Sequence, residues 1–408
     1  MPSAISFLKL RGSWAQAGND TDEYALDPVF NLKEPYGPNL RGEESSILPN
    51  PDLVNELSTS IEAGIDVRFF NGRLGLDLNY FNAKTKNQIV PIVVPHSTGY
   101  AQKFVNLGEI TNKGWEIMLN YTAIETDKFT WSGNINYFSN ENTIGGLNGI
   151  EYAIASNRIT LIAKDGGKMG DMYGTGLLKV EDGEYQGDVI FRNGLPIQDP
   201  NLRLLGNYNP DFILGFNNEF RLGGFHFGFL VDWRQGGDLM SLTRLIAATS
   251  GNIVETLPGR TTELGGISWT DDNNTARTDG IIGDGVKEIV EADGTVVGYA
   301  PNDVVVPASA YYNKRYKRQN EEEGMYDATF VKLREVRLGY QMPNSWFGDV
   351  LKDVKISFVG RNLAIWNNFN HGDSELTSFT GSGKMVLGVE DMAIPSTSSY
   401  GFNLSANF

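Results

Sequence analysis

Oxygen ligands cluster in the stretch from Asp271 to Asp284, which is rich in Asp, Asn, Thr and Gly. Clustered carboxylates and amides with glycine can bind Ca²⁺, and Asp279 and Asp284 are the candidate metal ligands. The spacing is not that of an EF-hand loop, and Asp-Gly pairs are ordinary turn formers. Trp269, Tyr299, Tyr311 and Tyr312 lie in the same long segment. Flat aromatic faces can stack on sugars or on peptide side chains while neighbouring polar groups orient what they hold. The alternative is that these rings pack the segment against itself or against a covering protein. Tyr173 and Tyr185 carry the same two readings.

Enzyme chemistry finds little support. His96, His226 and His371 are far apart and no two share a helix face, so neither a metal pair nor a catalytic dyad is indicated. A Gly-x-Ser-x-Gly nucleophile turn is absent. Gly145-Gly146 and Gly166-Gly167 are not followed by a phosphate-binding helix. The run Glu321 to Glu323 reads as a solvated charge run. No cysteine is present, which removes thiol chemistry, disulfides and cysteine metal sites. The formal charge is −16, from 50 acidic against 34 basic residues, which argues against nucleic acid as the main partner.

The elements that would position these residues are strands. There are 408 residues, 47 of them glycine, and no apolar run long enough for a membrane helix. The tail from Ser398 to Phe408 alternates strictly: Tyr400, Phe402, Leu404, Ala406 and Phe408 on one face, Gly401, Asn403, Ser405 and Asn407 on the other. An aromatic face carried to a chain end needs paired backbone and an apolar neighbour, and a strand closing an outer-membrane barrel has both. The same alternation recurs from Ile5 to Gln16, with Leu8, Leu10, Gly12 and Trp14 on one side. It recurs around Ile61–Phe69, Leu74–Tyr80, Trp115–Tyr121, Phe129–Tyr137, Phe212–Leu222, Phe225–Arg234, Thr329–Met342 and Val354–Asn362. Two-residue hairpin turns are expected at Asn71-Gly72 and Gly223-Gly224. A helix is expected within Leu239 to Ala248, and an irregular stretch from Glu141 to about Tyr208.

Ten strands result. The connections after the second, fourth, sixth and eighth are short; those after the first, third, fifth, seventh and ninth are long. In an up-and-down sheet all the long ones then gather at one rim, the asymmetry of an outer-membrane barrel rather than of a sandwich. Ten strands of Phe and Trp would overfill a small closed lumen; facing lipid they fill nothing. The fold expected is all-β, an antiparallel up-and-down transmembrane β-barrel. The alternative is a secreted, soluble β-rich module that binds or cleaves glycans, with the apolar face inward. A passive porin or adhesin barrel is a third reading.

Residues in eight places also match a known family. The stretches are Leu10-Arg11-Gly12-Ser13-Trp14 through Gly18-Asn19; Asn50-Pro51-Asp52-Leu53; Glu62 with Gly64-Ile65-Asp66; Asn71-Gly72-Arg73-Leu74; Asn106-Leu107-Gly108-Glu109-Ile110 with Asn112, Gly114 and Glu116; Gly206-Asn207 with Pro210; Gly360-Arg361-Asn362-Leu363; and the tail from Pro395 to Phe408. In this order they resemble the C-terminal part of SusC/RagA-type TonB-linked outer-membrane transporters. Ala15 stands where a glycine is expected. The resemblance implies a plugged barrel of 22 strands, of which residues 1–408 would supply about ten C-terminal strands. The plug, the accessory domain and the segment that contacts the TonB system have no counterpart, and such a piece would neither close nor transport alone. It further implies energised import of oligosaccharides or peptides, a SusD-like surface lipoprotein over the external loops, and the outer membrane of a Gram-negative bacterium of the Bacteroidota.

Overall fold

The computed structural model describes residues 4–21, 23, 26–157, 159–271, 273–347, 351–376, 378–379 and 385–407. One ten-stranded sheet dominates it, and the spatial order of its strands is their order in the chain. The strands are β1 (Ile5–Asn19), β2 (Glu56–Phe69), β3 (Leu74–Lys86), β4 (Glu109–Glu125), β5 (Phe129–Gly145), β6 (Phe212–Leu222), β7 (Phe225–Gln235), β8 (Phe330–Gln341), β9 (Lys352–Asn367) and β10 (Ser399–Asn407). Every neighbouring pair is antiparallel. The connections 70–73, 126–128, 223–224 and 342–351 are short, and 20–55, 87–108, 146–211, 236–329 and 368–398 are long. The long ones therefore share one rim, as the sequence pattern requires.

Register carries the apolar pattern across the whole wall. Leu10 pairs with Ile65, Ile65 with Leu78, and the row continues through Ile117, Tyr137, Leu214, Trp233 and Val331 to Trp366 on β9. A second row nearer the short turns runs Val67, Leu76, Leu119, Ile135, Phe216, Val231, Leu333. Leu10, Trp14, Trp366 and Phe402 are each more than half exposed. Among the described residues, five buried apolar clusters lie in the long connections and at their junctions with the strands. Among the described residues the ring-bearing face thus has no covering layer, so it is not the dry centre of a sandwich. From Phe225 to Trp233, β7 rises roughly 26 Å at about 3.3 Å per residue. At a barrel tilt of about 40° that is about 20 Å of depth, close to the apolar band of an outer-membrane wall.

Asn218 is a polar residue among the apolar rows of this face and is buried. Its Oδ1 accepts from Tyr121 Oη at 2.7 Å and from Trp131 Nε1 at 2.8 Å. Tyr121 reaches it by lying over Gly133, where a Cβ would meet the Tyr121 hydroxyl at 2.6 Å. The glycine leaves a gap in the wall that the ring fills, and the ring satisfies the amide oxygen.

Three expectations change in detail. The β2–β3 turn has four residues, not two, because Phe69 pairs with Leu74. The Phe70 amide donates to Ala4 O at 2.9 Å, and Phe70, Asn71 and Gly72 all take positive φ. The Gly223-Gly224 turn has the expected two residues, with Leu222 opposite Phe225. The stretch after β5 is ordered: β5 continues to Gly145, and Tyr152–Asn157, Ile159–Ala163, Asp171–Leu177 and Gln198–Asn207 form a four-stranded sheet. Helix α1 covers Leu242–Thr249, capped by Ser241, whose Oγ accepts from the Arg244 amide at 3.1 Å. Leu239 belongs instead to the strand Asp238–Ser241, which pairs with Met325–Asp327. Phe408 lies outside the described residues; Tyr400, Phe402 and Leu404 pair with Gly360, Phe358 and Ile356 on β9.

Candidate functional site

The face opposite the rings is polar and held by ion pairs. Arg11 on β1 reaches past β2 to Asp77 on β3, with Nη1 donating to Oδ2 at 2.8 Å. Gly64 lies under that reach; a Cβ there would meet Arg11 Nε at 2.5 Å. Toward the other edge, Arg334 on β8 donates to Asp232 on β7 at 2.7 Å, and Arg361 on β9 donates to Glu335 at 2.8 Å. His226 sits on this face, opposite Arg221 and Gly339.

Between the two outer pairs lies a recess of about 550 Å³. Arg11, Asp77, Asn79, Glu116, Asn136 and Asp232 supply its polar lining. Met118, Phe138 and Ile213 interrupt that polarity, each about two-fifths exposed or more. Phe81 stacks on Phe138 with ring centroids 6.3 Å apart. These four apolar side chains occupy positions that alternation assigns to the amide side. They were not singled out in the sequence, and the break in period at Met118, Phe138 and Ile213 was the available signal.

The last long connection is fastened to this face. Lys332 on β8, 2% exposed, donates to Asp373 at 2.8 Å and to Glu375 at 2.6 Å. Arg334 grips both oxygens of Glu375, and Ser396 Oγ donates to Asp373. Burial disfavours the charged form of Glu375, but the hydrogen bonds from Arg334 and Lys332 outweigh it and hold the carboxyl at about 2. Asp373 is held low in the same way, burial being overcome by Lys332 and Ser396. Further along, buried Glu390 accepts from Ser241 Oγ at 2.6 Å and Thr243 Oγ1 at 2.5 Å, tying the connection to α1.

Above the wall the long connections pack on one another. Tyr311 and Tyr312, on α2 (Ala308–Arg315), are buried together with Phe191, Val306 and Ala308. Tyr311 stacks on Phe191 at 6.4 Å, and Tyr312 donates to Pro258 O at 3.1 Å. Tyr299 is half-buried in a separate cluster with Val180, Ile190 and Val286, which also takes Tyr185. Trp269, in a neighbouring hairpin, donates to Asp279 at 3.2 Å with Arg277 over its ring. Tyr173 is buried, with Lys164 over its ring. The structure thus unites Tyr311 with Tyr312 and leaves Trp269 and Tyr299 apart.

Asp279 and Asp284 are not joined by further ligands. The Arg277 guanidinium holds the Asp279 carboxyl at about 2, with burial opposing and Trp269 assisting. Asp284 is exposed, and Asp271 Oδ1 caps a turn by accepting the amides of Asn273 and Thr275. Asp272 lies outside the described residues. No three acidic or histidine side chains cluster for a metal among those described.

The run Glu321 to Glu323 is not a solvated one. Glu321 accepts the Thr175 amide at 2.9 Å, Glu322 pairs with Lys179 at 3.1 Å and with Arg203 at 2.5 Å, and Glu323 pairs with Arg315 at 2.9 Å. Glu321 and Glu322 find their partners because the connection after β5 folds back over the one after β7, whereas Glu323 pairs within its own connection. The run fastens the two together.

Comparison with known proteins adds a family. The family model described as TonB dependent receptor-like, beta-barrel matches residues 4–363. TonB-dependent receptor P26 of Formosa agariphila is 27% identical, covering 98% of this chain and 40% of that protein. TonB-dependent receptor SusC of Bacteroides thetaiotaomicron is 30% identical over 155 residues, 36% of this chain and 16% of its own length. Among solved structures, the RagAB peptide importer in its open-open state superposes with a TM-score of 0.69 at 17% identity, covering 100% of this chain and 41% of that one. That likeness is one of fold. The chain spans about two fifths of the length of the Formosa relative and of the RagAB chain.

Proposed function

This chain belongs to the TonB-dependent receptor β-barrel family, and from that premise we propose that it forms wall and external loops of an outer-membrane importer of nutrient oligomers, oligosaccharides or peptides. Residues 1–408 are the C-terminal portion of the barrel. The family is one of transporters and receptors, and the protein is no enzyme. The observation that carries the reading is the orientation of the wall. One unbroken row of apolar side chains runs from Leu10 to Trp366 on an uncovered face. The ion-paired face lies behind it, and every long connection stands at one rim. Such a wall has lipid on one side and water on the other.

The rim is where a partner would sit. The hairpin Phe30–Tyr36/Asn39–Glu44 projects there with Leu32, Tyr36 and Leu40 each more than four-fifths exposed. A two-stranded hairpin is barely stable alone, and a SusD-like surface lipoprotein lying over the rim would bury this one. The outer membrane of a Bacteroidota-type Gram-negative cell is the location that follows, with the TonB system supplying energy.

The test is deletion of the gene in its host, with uptake of labelled oligosaccharides and peptides measured before and after collapse of the proton gradient. The reading expects one class of oligomer to lose gradient-dependent uptake, restored by the gene in trans. Unchanged uptake of both classes, or recovery of the protein in the soluble fraction, contradicts it.

A further inference from the structure

The acidity of this protein is not spread evenly. The five long connections hold 36 Asp and Glu against 18 Lys and Arg, whereas the remainder of the chain holds 14 against 16. The wall is close to neutral and the external layer is strongly acidic. A layer of one sign at the mouth of a channel concentrates solutes of the opposite sign and repels those of its own.

Beneath that layer lies the inner-wall recess. Its charges are not balanced equally. Asp77 is neutralised by Arg11 and Asp232 by Arg334. Glu116 is exposed, and the Asn79 amide donates to it at a long 3.5 Å. Among the described residues no basic side chain forms an ion pair with it; Arg11, which lines the same recess, acts on it only through space while its guanidinium is held by Asp77. Met118 and Phe138 lie immediately beside it: Met118 is two residues along β4, and Phe138 is its direct cross-strand neighbour on β5. Ile213 on β6 pairs with Phe138. A carboxylate without a directly bonded cation therefore adjoins a water-facing apolar island in a channel reached through an acidic mouth.

We propose that this recess is a cargo subsite for a basic, apolar peptide. A lysine or arginine of the cargo pairs with Glu116, and neighbouring aliphatic or aromatic side chains of the cargo lie on Met118, Phe138 and Ile213. A polyanionic saccharide is repelled at the mouth. A neutral saccharide gains nothing from Glu116 as a counter-charge and leaves Met118 and Ile213 against hydroxyl groups, which costs hydrogen bonding. The assignment rests on the import reading above.

The test uses the full-length transporter in outer-membrane vesicles of its host. The probes are a fluorescent pentapeptide of two lysines and three leucines, the same peptide with glutamates in place of the lysines, and neutral maltoheptaose. The subsite expects the lysine peptide to be taken up preferentially, with rates that fall as ionic strength rises. Glu116→Gln, at equal surface abundance, raises the half-saturating concentration of the lysine peptide roughly tenfold and leaves the glutamate peptide unchanged. Met118→Ser weakens both peptides. Unchanged lysine-peptide uptake by Glu116→Gln, or preference for the glutamate peptide or maltoheptaose in the parent, overturns the subsite and leaves import standing. If Glu116→Gln instead admits unrelated solutes with lysine selectivity intact, the recess seats a lumen-filling segment and the proposal falls. If the parent takes up none of the probes in a gradient-dependent way while the other transporters of the vesicle do, the subsite and the import reading fail together.

Discussion

Three substitutions at adjacent positions of β4 separate a lipid-facing wall from a packed centre. Leu119 lies in the apolar row between Leu76 and Ile135. It is roughly midway between the Tyr80–Trp115 pair toward the long-connection rim and the Ile124–Trp131 pair beside the turn. It is thus near the middle of the bilayer. Leu119→Arg places a guanidinium in hydrocarbon, costing about 2–4 kcal/mol. At about 1.4 kcal/mol per factor of ten, the folded-to-unfolded ratio falls by roughly 30- to 700-fold. A buried arginine in a soluble core would also be costly, so this result alone does not discriminate. Leu119→Trp does. Facing lipid, the larger ring meets no fixed neighbour and changes stability by less than about 0.5 kcal/mol. Inside a close-packed core, overpacking costs about 1–3 kcal/mol. Asn120→Arg points the same charge toward water and is expected to be neutral to within about 0.5 kcal/mol. The assay is folding of the full-length protein into phospholipid vesicles across a urea series, read by the gel-mobility difference between folded and unfolded barrel. The reasoning is refuted if Leu119→Trp is as damaging as Leu119→Arg, or if Asn120→Arg is.

Three further outcomes follow from the inner face and the loops. Lys332→Met leaves the buried Asp373 carboxylate uncompensated and is expected to cost about 3–5 kcal/mol in the same urea series, with partial recovery when Asp373→Asn is added. Glu375 is held at about 2, below its ordinary 4.5, so its ionised clamp contributes stability above about pH 4.5 and loses it as the pH falls from there toward 2. Protease cleavage of the last long connection should therefore stay slow at about pH 6 and speed up between about pH 4 and pH 2.5. Gly64→Leu pushes Arg11 off Asp77, a pair more than a third exposed on both sides. A loss of about 1 kcal/mol is expected, screened by salt, and a loss that salt leaves unchanged would show that sterics rather than charge dominate.

Much of the wall was legible because lipid-facing strands repeat one physical demand every second residue. That demand marked all ten strands, and it gave the faces of Leu10, Leu78, Phe216 and Phe402 directly. It also placed the long connections at one rim, since strand parity fixes which end a connection occupies. The connections themselves were not legible. Their strands, such as Ile190–Arg192 and Val389–Glu390, are too short to show a period, and they pair with segments far off in sequence. The same cause hid the role of Glu321 and Glu322, whose partners Thr175, Lys179 and Arg203 precede them by more than a hundred residues. Tyr311 and Tyr312 are buried for the same reason: the surfaces that cover them come from the connection after β5 as well as their own. On the wall, the inner recess was missed because Met118, Phe138 and Ile213 are apolar residues on the polar side, and an averaged alternation passes over single breaks.

The chain contains no cysteine, so the orientation of the wall can be read one residue at a time. Single cysteines at positions 116 to 121 of β4, in outer membranes of the host, would be treated with a water-soluble maleimide and with a lipid-soluble one. The account predicts that 116, 118 and 120 react with the water-soluble reagent, and that 117, 119 and 121 react only with the lipid-soluble one. Equal water reactivity on both faces, or protection of both, would contradict a wall with hydrocarbon on one side and water on the other.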